Sequence, residues 1–376
     1  VLDTEITACG SCGAGGLVTI IDLGLQPLAE RESTPYPLKL LQCGTCSLVQ
    51  LSYQADPHEV FPEDHPYATG NTTFLRNHFS SLARQLSRHL RDGDVVVDIG
   101  ANDGTLLAAY PGQLALTRVA VEPTGQAAKC REKGLVTFKE FFSLGVAKDI
   151  LNATGRAKVI TACNVLAHVP DVHGFLEGVR LLLADDGIFI TENHDIDSIL
   201  HGLQVDTIYH EHLRYYSVAS LSYLLGMHNL DVSKSELIPS HGGSFRVWAR
   251  HRENILVFRE RARETAAKLH DLVAAAAAEG PVYGIGATTR AVPLMHFGDL
   301  AGLVTCVCEV STSEKIGMLM PGTTIPVMPD EYLIEQQPPH ALMFSWHIAG
   351  SIIPKLRSAG YRGKFIIPLP EPVIRA

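Results

Sequence analysis

The sequence predicts an α/β protein in three parts, and three observations carry that reading. Two Cys-x-x-Cys pairs, Cys9/Cys12 and Cys43/Cys46, stand close to the start of the chain. From Asp94 to Glu192, runs rich in valine and isoleucine alternate with helical periodicity, and the first run ends in a turn bracketed by glycines. A second alternation of the same kind runs from Val282 to Pro368. The expected division is a small N-terminal zinc-binding module over 1–70, a central doubly wound sheet over 71–238, and a C-terminal Rossmann-like α/β domain over 239–376. At 376 residues the chain is long enough for that count, since a domain averages roughly 150 residues.

Composition removes several function classes. The 31 Lys and Arg residues against 40 Asp and Glu leave a net charge of −9, the wrong sign for a protein that binds nucleic acid or a membrane surface through a broad basic field. With 46% apolar and 19% charged residues the chain is globular rather than disordered. No apolar run reaches the roughly 18–20 residues needed to cross a bilayer. No basic stretch leads into an apolar core near the N-terminus, so a cytoplasmic location is expected. The expected assembly is a monomer or weak homodimer.

The cysteine pairs point to structural zinc. Cys9-Gly10-Ser11-Cys12-Gly13 and Cys43-Gly44-Thr45-Cys46-Ser47 are tight turns that can aim four thiolates at one tetrahedral ion. Four thiolates close the coordination shell, which excludes a catalytic water on the metal. Between the pairs, Val18–Gly24 and Leu38–Leu41 read as short strands of the same module. Cys130, Cys163, Cys306 and Cys308 are scattered and carry no such pattern.

In the middle region, a helix is expected over Thr72–Leu90, followed by a buried strand that ends at Asp98-Ile99. The turn Gly100-Ala101-Asn102-Asp103-Gly104 then opens a helix. The next strand ends in Glu122-Pro123, where an acid can hold ribose hydroxyls, and a third strand ends at Asn164. The turn is Gly-x-x-x-Gly rather than Gly-x-Gly-x-x-Gly, and Asp98 and Asp103 flank it. Carboxylates there repel a pyrophosphate but suit a cationic amino-acid tail, so S-adenosylmethionine fits better than NAD. The expected cofactor residues are Asp98, Gly100, Asn102, Asp103, Gly104, Glu122, Pro123 and Asn164.

Beyond the last clear strand lies Tyr209-His210-Glu211-His212, which suits an acid–base relay: a histidine near neutrality as base, a carboxylate to orient it, a phenol to donate. A polar loop with no catalytic part is the plainer alternative. His241-Gly242-Gly243-Ser244-Phe245-Arg246 offers backbone N–H groups, a hydroxyl and a guanidinium to a phosphate or to sugar hydroxyls. The third domain reads as a Rossmann-like unit without an acid-bearing cofactor turn, forming the other wall of a substrate cleft. There Arg290 and Lys315, with Arg246, are candidates to meet an anionic substrate.

Assembled in order, these residues resemble the sugar C-methyltransferases that act on nucleotide-linked 4-keto-6-deoxyhexoses in deoxysugar pathways of antibiotic biosynthesis. The resemblance spans almost the whole chain. It rests on the two cysteine pairs, Asp98-Ile99-Gly100-Ala101-Asn102-Asp103-Gly104, Glu122-Pro123, Asn164-Val165-x-Ala167-His168, Tyr209-x-Glu211-His212 and His241-Gly242-Gly243-Ser244. It implies a class I methyltransferase sheet in the centre and methyl transfer from S-adenosylmethionine, through an enolate, to C3 of a 4-keto-6-deoxy sugar linked to a nucleotide, with thymidine diphosphate the expected one. It further implies that His212 is the general base, that Glu211 orients it, that Tyr209 and His168 line the sugar, and that Tyr67 is an active-site tyrosine. The chain departs from the family pattern at Arg290, Glu309, His347 and Ser351, positions that bear on which nucleotide sugar is used. An O- or N-methyltransferase, and an epimerase using the same enolate, remain as alternatives.

Overall fold

The computed structural model describes residues 4–29, 34–64, 67–253 and 255–376, and the chain divides into two compact units between Arg252 and Glu253. The first unit is built on a seven-stranded sheet. Across it the strands run Leu230–Ile238, Ser244–His251, Leu183–His194, Ala157–Cys163, Val95–Ile99, Thr117–Val121 and Val136–Phe138. All are parallel except Ser244–His251, which is antiparallel to both neighbours. Strands Val95–Ile99 and Ala157–Cys163 lie side by side although a whole strand–helix repeat separates them in sequence. That is the topological switch point, and a crevice opens at their carboxyl ends.

Val95–Ile99 is buried along its whole length, as a central parallel strand must be. Val95, Val97 and Ile99 face one core, and Val96 faces the other. Helix Thr73–Ser87 covers the second face with Leu75, Phe79, Leu82, Ala83 and Leu86, spaced three and four residues apart. The Thr72 hydroxyl caps it by accepting from the Leu75 N–H.

The structure moves two of the expected boundaries. The cofactor region does not stop at 238: the hairpin of Leu230–Ile238 and Ser244–His251 completes its sheet, with Phe245, Val247 and Ala249 in one core and Trp248 in the other. His241-Gly242-Gly243 is the turn of that hairpin, with Gly242 and Gly243 at φ of 78° and 125°. Nor does the cysteine module stand apart. Its sheet of Val18–Gln26, Tyr36–Gln42 and Val49–Leu51 takes a fourth strand, Arg214–Tyr215, from just past the histidine run. Leu38, Leu40, Val49 and Leu51 share a core with Ile196, Ile199, Ile208 and Tyr215.

The second unit carries six strands in the order Val327–Pro329, Val304–Glu309, Val282–Ile285, His340–Met343, Lys364–Ile367 and Val373–Arg375. The first five are parallel and the last is antiparallel. Numbered along the chain this is 3-2-1-4-5-6, the doubly wound order. Helix Ile255–Glu279 packs on it through Leu269, Val273 and Ala276. The sequence suggested a unit with no acid at its turn, and here the structure differs. Glu309 ends the second strand and its carboxylate accepts from the Ala287 N–H at 2.7 Å. Glu122 does the same for Asn102 in the first unit, at 2.8 Å.

Candidate active site and zinc centre

A cavity of about 1110 Å³ opens at the switch point of the first unit. Gly100, at φ 68°, leaves the end of Val95–Ile99, and a Cβ there would come within 2.6 Å of the Val165 side chain. Only glycine lets the backbone turn so close to the neighbouring strand end. The Glu122 carboxylate accepts from Asn102 N–H with one oxygen, and from the Thr124 N–H and hydroxyl with the other. Asp98, Gly100, Asn102, Glu122, Pro123 and Asn164 all line the cavity, as expected.

Asp103 and Gly104 do not. Asp103 spends its carboxylate on the Gly70 and Thr105 N–H groups and the Thr105 hydroxyl, so it braces the turn from behind. Gly104, at φ 76°, packs against Leu135 and Cys130. Asn102 reaches the cavity while its side chain clasps the segment before the first long helix. Its Oδ1 accepts from Thr69 N–H and its Nδ2 donates to the Tyr67 carbonyl. Tyr67 is thereby held at the cavity wall, and burial raises its phenol above the ordinary value.

The donor set fits S-adenosylmethionine. Asp98, Glu122, Glu140, Asp171, Glu177 and Glu211 line the cavity, and among the described residues that line it there is no lysine or arginine. A cationic ammonium and sulfonium are welcome there and a pyrophosphate is not. Asp98 is fully enclosed: burial pushes its carboxyl up to about 7, against the lowering effect of the Thr161 hydroxyl that donates to it, with Glu122 and Glu192 adding to the rise. A cation beside Asp98 favours the ionised form, so cofactor binding should release a proton. The expected result is an S-adenosylmethionine affinity that is flat above pH 7 and weakens below it, by up to about tenfold per pH unit. Calorimetric titration across pH 5.5–8.5 checks this, and Asp98→Asn should abolish the slope.

Tyr209, Glu211 and His212 also line the cavity, and one short network ties the run together. The Tyr209 hydroxyl lies 3.0 Å from His212 Nε2, and His212 Nδ1 lies 3.2 Å from the Thr207 carbonyl. A carbonyl only accepts, so Nδ1 carries the proton, Nε2 presents its lone pair, and the Tyr209 O–H donates to it. His168 Nδ1 lies 2.7 Å from the Glu211 carbonyl, and its ring stands 4.9 Å from that of His212. The His212 tautomer is set through Nδ1 by the backbone carbonyl of Thr207. Against expectation, His212 is not near neutrality: burial first, then the charge of His168, bring it down to about 3.

His210 is buried against the Tyr36 ring, 6.0 Å between centroids, away from the cavity lining. His241 does line the cavity, at a left-handed φ of 51°. Gly243, Ser244 and Arg246 do not. The Gly243 carbonyl accepts from Asp195 N–H, and the Ser244 hydroxyl donates to the Ser240 carbonyl. Arg246 sits opposite Glu192 in the sheet register and forms a buried ion pair with Glu192 and a partly exposed one with Glu236. Burial would raise the Glu192 carboxyl, but the hydrogen bond from His78 and the Arg246 guanidinium hold it below its usual value. Arg246 is thus a sheet-bracing cation and not a substrate ligand. Arg290 and Lys315 belong to the second unit, where Arg290 precedes helix Ala291–Phe297 and Lys315 Nζ donates to the Ala287 carbonyl at 2.6 Å. Sequence reasoning missed Phe61, Thr207 and His194, which also line the cavity. Only His194 had a readable signal, its place at the carboxyl end of Leu183–His194.

The four N-terminal cysteines converge as expected. Their Sγ atoms all lie within 4.8 Å of one another, with Cys9–Cys46 and Cys12–Cys43 at 3.5 Å and no disulfide. Tetrahedral zinc with bonds of about 2.3 Å needs sulfurs about 3.8 Å apart, so the set fits. The two turns are built alike. Gly13 N–H bonds the Cys9 carbonyl and Ser47 N–H the Cys43 carbonyl, with Gly13 and Ser47 at φ of 72° and 60°. Ser11 and Thr45 N–H groups each point at a cysteine sulfur at 3.4 Å, which favours the thiolate.

A doubly wound sheet with an anionic crevice at its switch point, joined to a four-thiolate module, marks a zinc-containing S-adenosylmethionine-dependent methyltransferase. The chain matches three domain families in order: a putative zinc binding domain at residues 9–61, a methyltransferase domain at 73–235, and a C-methyltransferase C-terminal domain at 253–370. It is 29% identical to C-methyltransferase NovU of Streptomyces niveus, over 98% of this chain and 96% of that one. Among solved structures, magnesium protoporphyrin IX methyltransferase of Synechocystis with bound S-adenosylhomocysteine is 15% identical, with a TM-score of 0.36 over 47% of this chain and 83% of its own. The CcbJ methyltransferase of Streptomyces caelestis is 14% identical, with a TM-score of 0.38 over 51% and 95%. The three domain matches in this order, with the near full-length similarity to a C-methyltransferase, fit a sugar C-methyltransferase family. Its reaction is methyl transfer to carbon, and no helix among the described residues is long and apolar enough to cross a membrane.

Proposed function

We propose that the enzyme methylates C3 of a thymidine-diphosphate-linked 4-keto-6-deoxy sugar through an enolate. The observation that carries this reading is the half-buried Tyr209–His212 pair at 3.0 Å, set in the cavity that Asp98, Asn102 and Glu122 also line. A hydrogen beside a ketone is acidic enough for imidazole only when the enolate oxygen is stabilised. S-adenosylmethionine, when bound, supplies the electrophilic methyl group. With the sugar bound, the Tyr209 O–H turns from Nε2 to the ketone oxygen, which frees the single Nε2 lone pair. His212 Nε2 then takes the C3 proton while the C–H electrons pass into the enolate, whose oxygen keeps the Tyr209 hydrogen bond. A base held down to about 3 by burial gains its proton most readily as a negative charge forms beside it. The enolate supplies that charge. The absence of lysine and arginine from the described cavity lining supports a sugar in the cavity and a diphosphate outside it.

The test is incubation with a thymidine-diphosphate 4-keto-6-deoxy sugar in D₂O, with and without S-adenosylmethionine. Mass gain of one methyl group with loss of the C3 proton is expected. Deuterium entry without methyl transfer, cofactor present, would mean an epimerase. No change in any keto-sugar would remove the reading.

A further inference from the structure

We infer that His194 is a substrate-recognition residue that accepts a hydrogen bond from a hydroxyl of the sugar through Nδ1, and that Gln204 is the positioning residue that fixes its tautomer. This rests on the reading that the cavity takes a sugar.

His194 closes the strand Leu183–His194 and lines the same cavity as Tyr209, His212 and His241. Its Nε2 lies 3.0 Å from Gln204 Oε1. The direction of that bond is set by the other end of the amide. Gln204 Nε2 donates to the Gly242 carbonyl at 3.0 Å and to the Ser198 carbonyl at 3.3 Å, both pure acceptors. The amide nitrogen therefore faces the carbonyls, Oε1 faces the imidazole, and His194 Nε2 must carry the proton. Nδ1 is left with its lone pair. Among the described residues nothing donates to Nδ1, and it is not among the buried atoms that lack a partner, so it stays open to incoming groups. Burial holds the ring below its ordinary pKa, which keeps Nδ1 an acceptor at neutral pH.

The same amide also ties His194 to the turn that carries His241, through the Gly242 carbonyl. His241 is a non-glycine residue held in left-handed backbone, a conformation that persists where the surroundings fix it. Gln204 thus fixes the His194 imidazole and braces the turn that carries His241. His212 has Nε2 as acceptor toward Tyr209, whereas His194 has Nδ1 as acceptor, so the two rings do different work. The first takes a proton; the second reads a hydroxyl.

Two substitutions separate this from a structural role, because each keeps one ring nitrogen. Asparagine places a carbonyl oxygen where Nδ1 stands and gives up the Gln204 bond. Glutamine reaches the Nε2 position, keeps the Gln204 bond and gives up the Nδ1 acceptor. With the keto-sugar that the wild-type enzyme methylates, His194→Gln should raise KM about tenfold, the size of one lost hydrogen bond, with S-adenosylmethionine Kd unchanged. His194→Asn should recover most of that loss. The reverse order, with glutamine near wild type and asparagine impaired, would show that the ring serves only the Gln204 clasp and would overturn the proposal. Equal KM for both variants and wild type would overturn it too. Gln204→Leu, which unfixes the tautomer, should also raise KM while leaving the S-adenosylmethionine Kd unchanged. If the wild-type enzyme methylates no keto-sugar, the sugar reading fails first and this inference falls with it; if it does, the variant comparison judges His194 alone.

Discussion

His212→Ala is expected to lower kcat by about 10³-fold, within the range ascribed to a positioned general base, while S-adenosylmethionine affinity changes by less than about twofold. The separation follows from the geometry. His212 contacts Tyr209 and Thr207, whereas the cofactor turn is held by Glu122, Asn102 and the backbone of Gly100. Tyr209→Phe removes the donor and leaves the base, so a smaller loss of about 10–10² is expected, again in kcat. The pH profile adds a second check. An ordinary histidine base would give kcat/KM an acidic limb near 6.5, but His212, brought down to about 3, takes up a proton from solvent only below that. Activity should therefore hold as pH falls from 7 to 5, apart from the weakening of cofactor binding at Asp98, which saturating S-adenosylmethionine removes. Should His212→Ala keep more than a tenth of the wild-type kcat, the base is another group, with His168 the next ring, 4.9 Å away.

Removing the metal should be as damaging, by a longer route. Chelation, or Cys43→Ser, is expected to abolish methyl transfer together with the order of the N-terminal sheet. Apparent binding of structural zinc supplies about 10–16 kcal/mol in isolated zinc modules, more than most whole domains have in reserve. The link to catalysis is a chain of contacts. Gly10, inside the first cysteine turn, donates to Gln50 Oε1, and Gln50 sits opposite Arg214 in the sheet. Leu51 N–H bonds the Leu213 carbonyl, one residue past His212. The Arg214 guanidinium in turn donates to the Val169 and Pro170 carbonyls, next to His168. Hydrogen exchange at 36–51 and 209–216 should accelerate together on chelation and recover with added zinc. Cys130→Ser, at a buried thiol in another core, should leave both segments protected. Full activity in metal-free protein would disprove the coupling.

Much of the fold was legible because its signals are local. Cys-x-x-Cys turns, a valine strand running into Gly100, and an acid after the next strand are read within a few residues, and each stands where the spacing put it. Ser244–His251 falls beyond the boundary expected after 238, because nothing local shows that the hairpin it forms with Leu230–Ile238 adds to Leu183–His194, from far earlier in the chain. The site was legible in its members and not in their directions. Asp103 reads as a cofactor ligand until Gly70 and Thr105 supply nearer donors. Arg246 reads as an anion ligand until the register sets Glu192 across from it. His194 looked ordinary until Gln204 left its Nδ1 lone pair unused.

By itself the sequence determined that this protein has a four-thiolate metal module and a doubly wound cofactor sheet with carboxylates at its turn. It also set the imidazole–phenol run beyond that sheet. Tertiary structure alone decided which of these groups face the cavity, which nitrogen of each imidazole carries the proton, and that the cysteine module shares a sheet with the strand just past His212. The physical reason is that residue type and spacing fix local backbone geometry. Hydrogen-bond partners and burial are set by segments far apart in the chain.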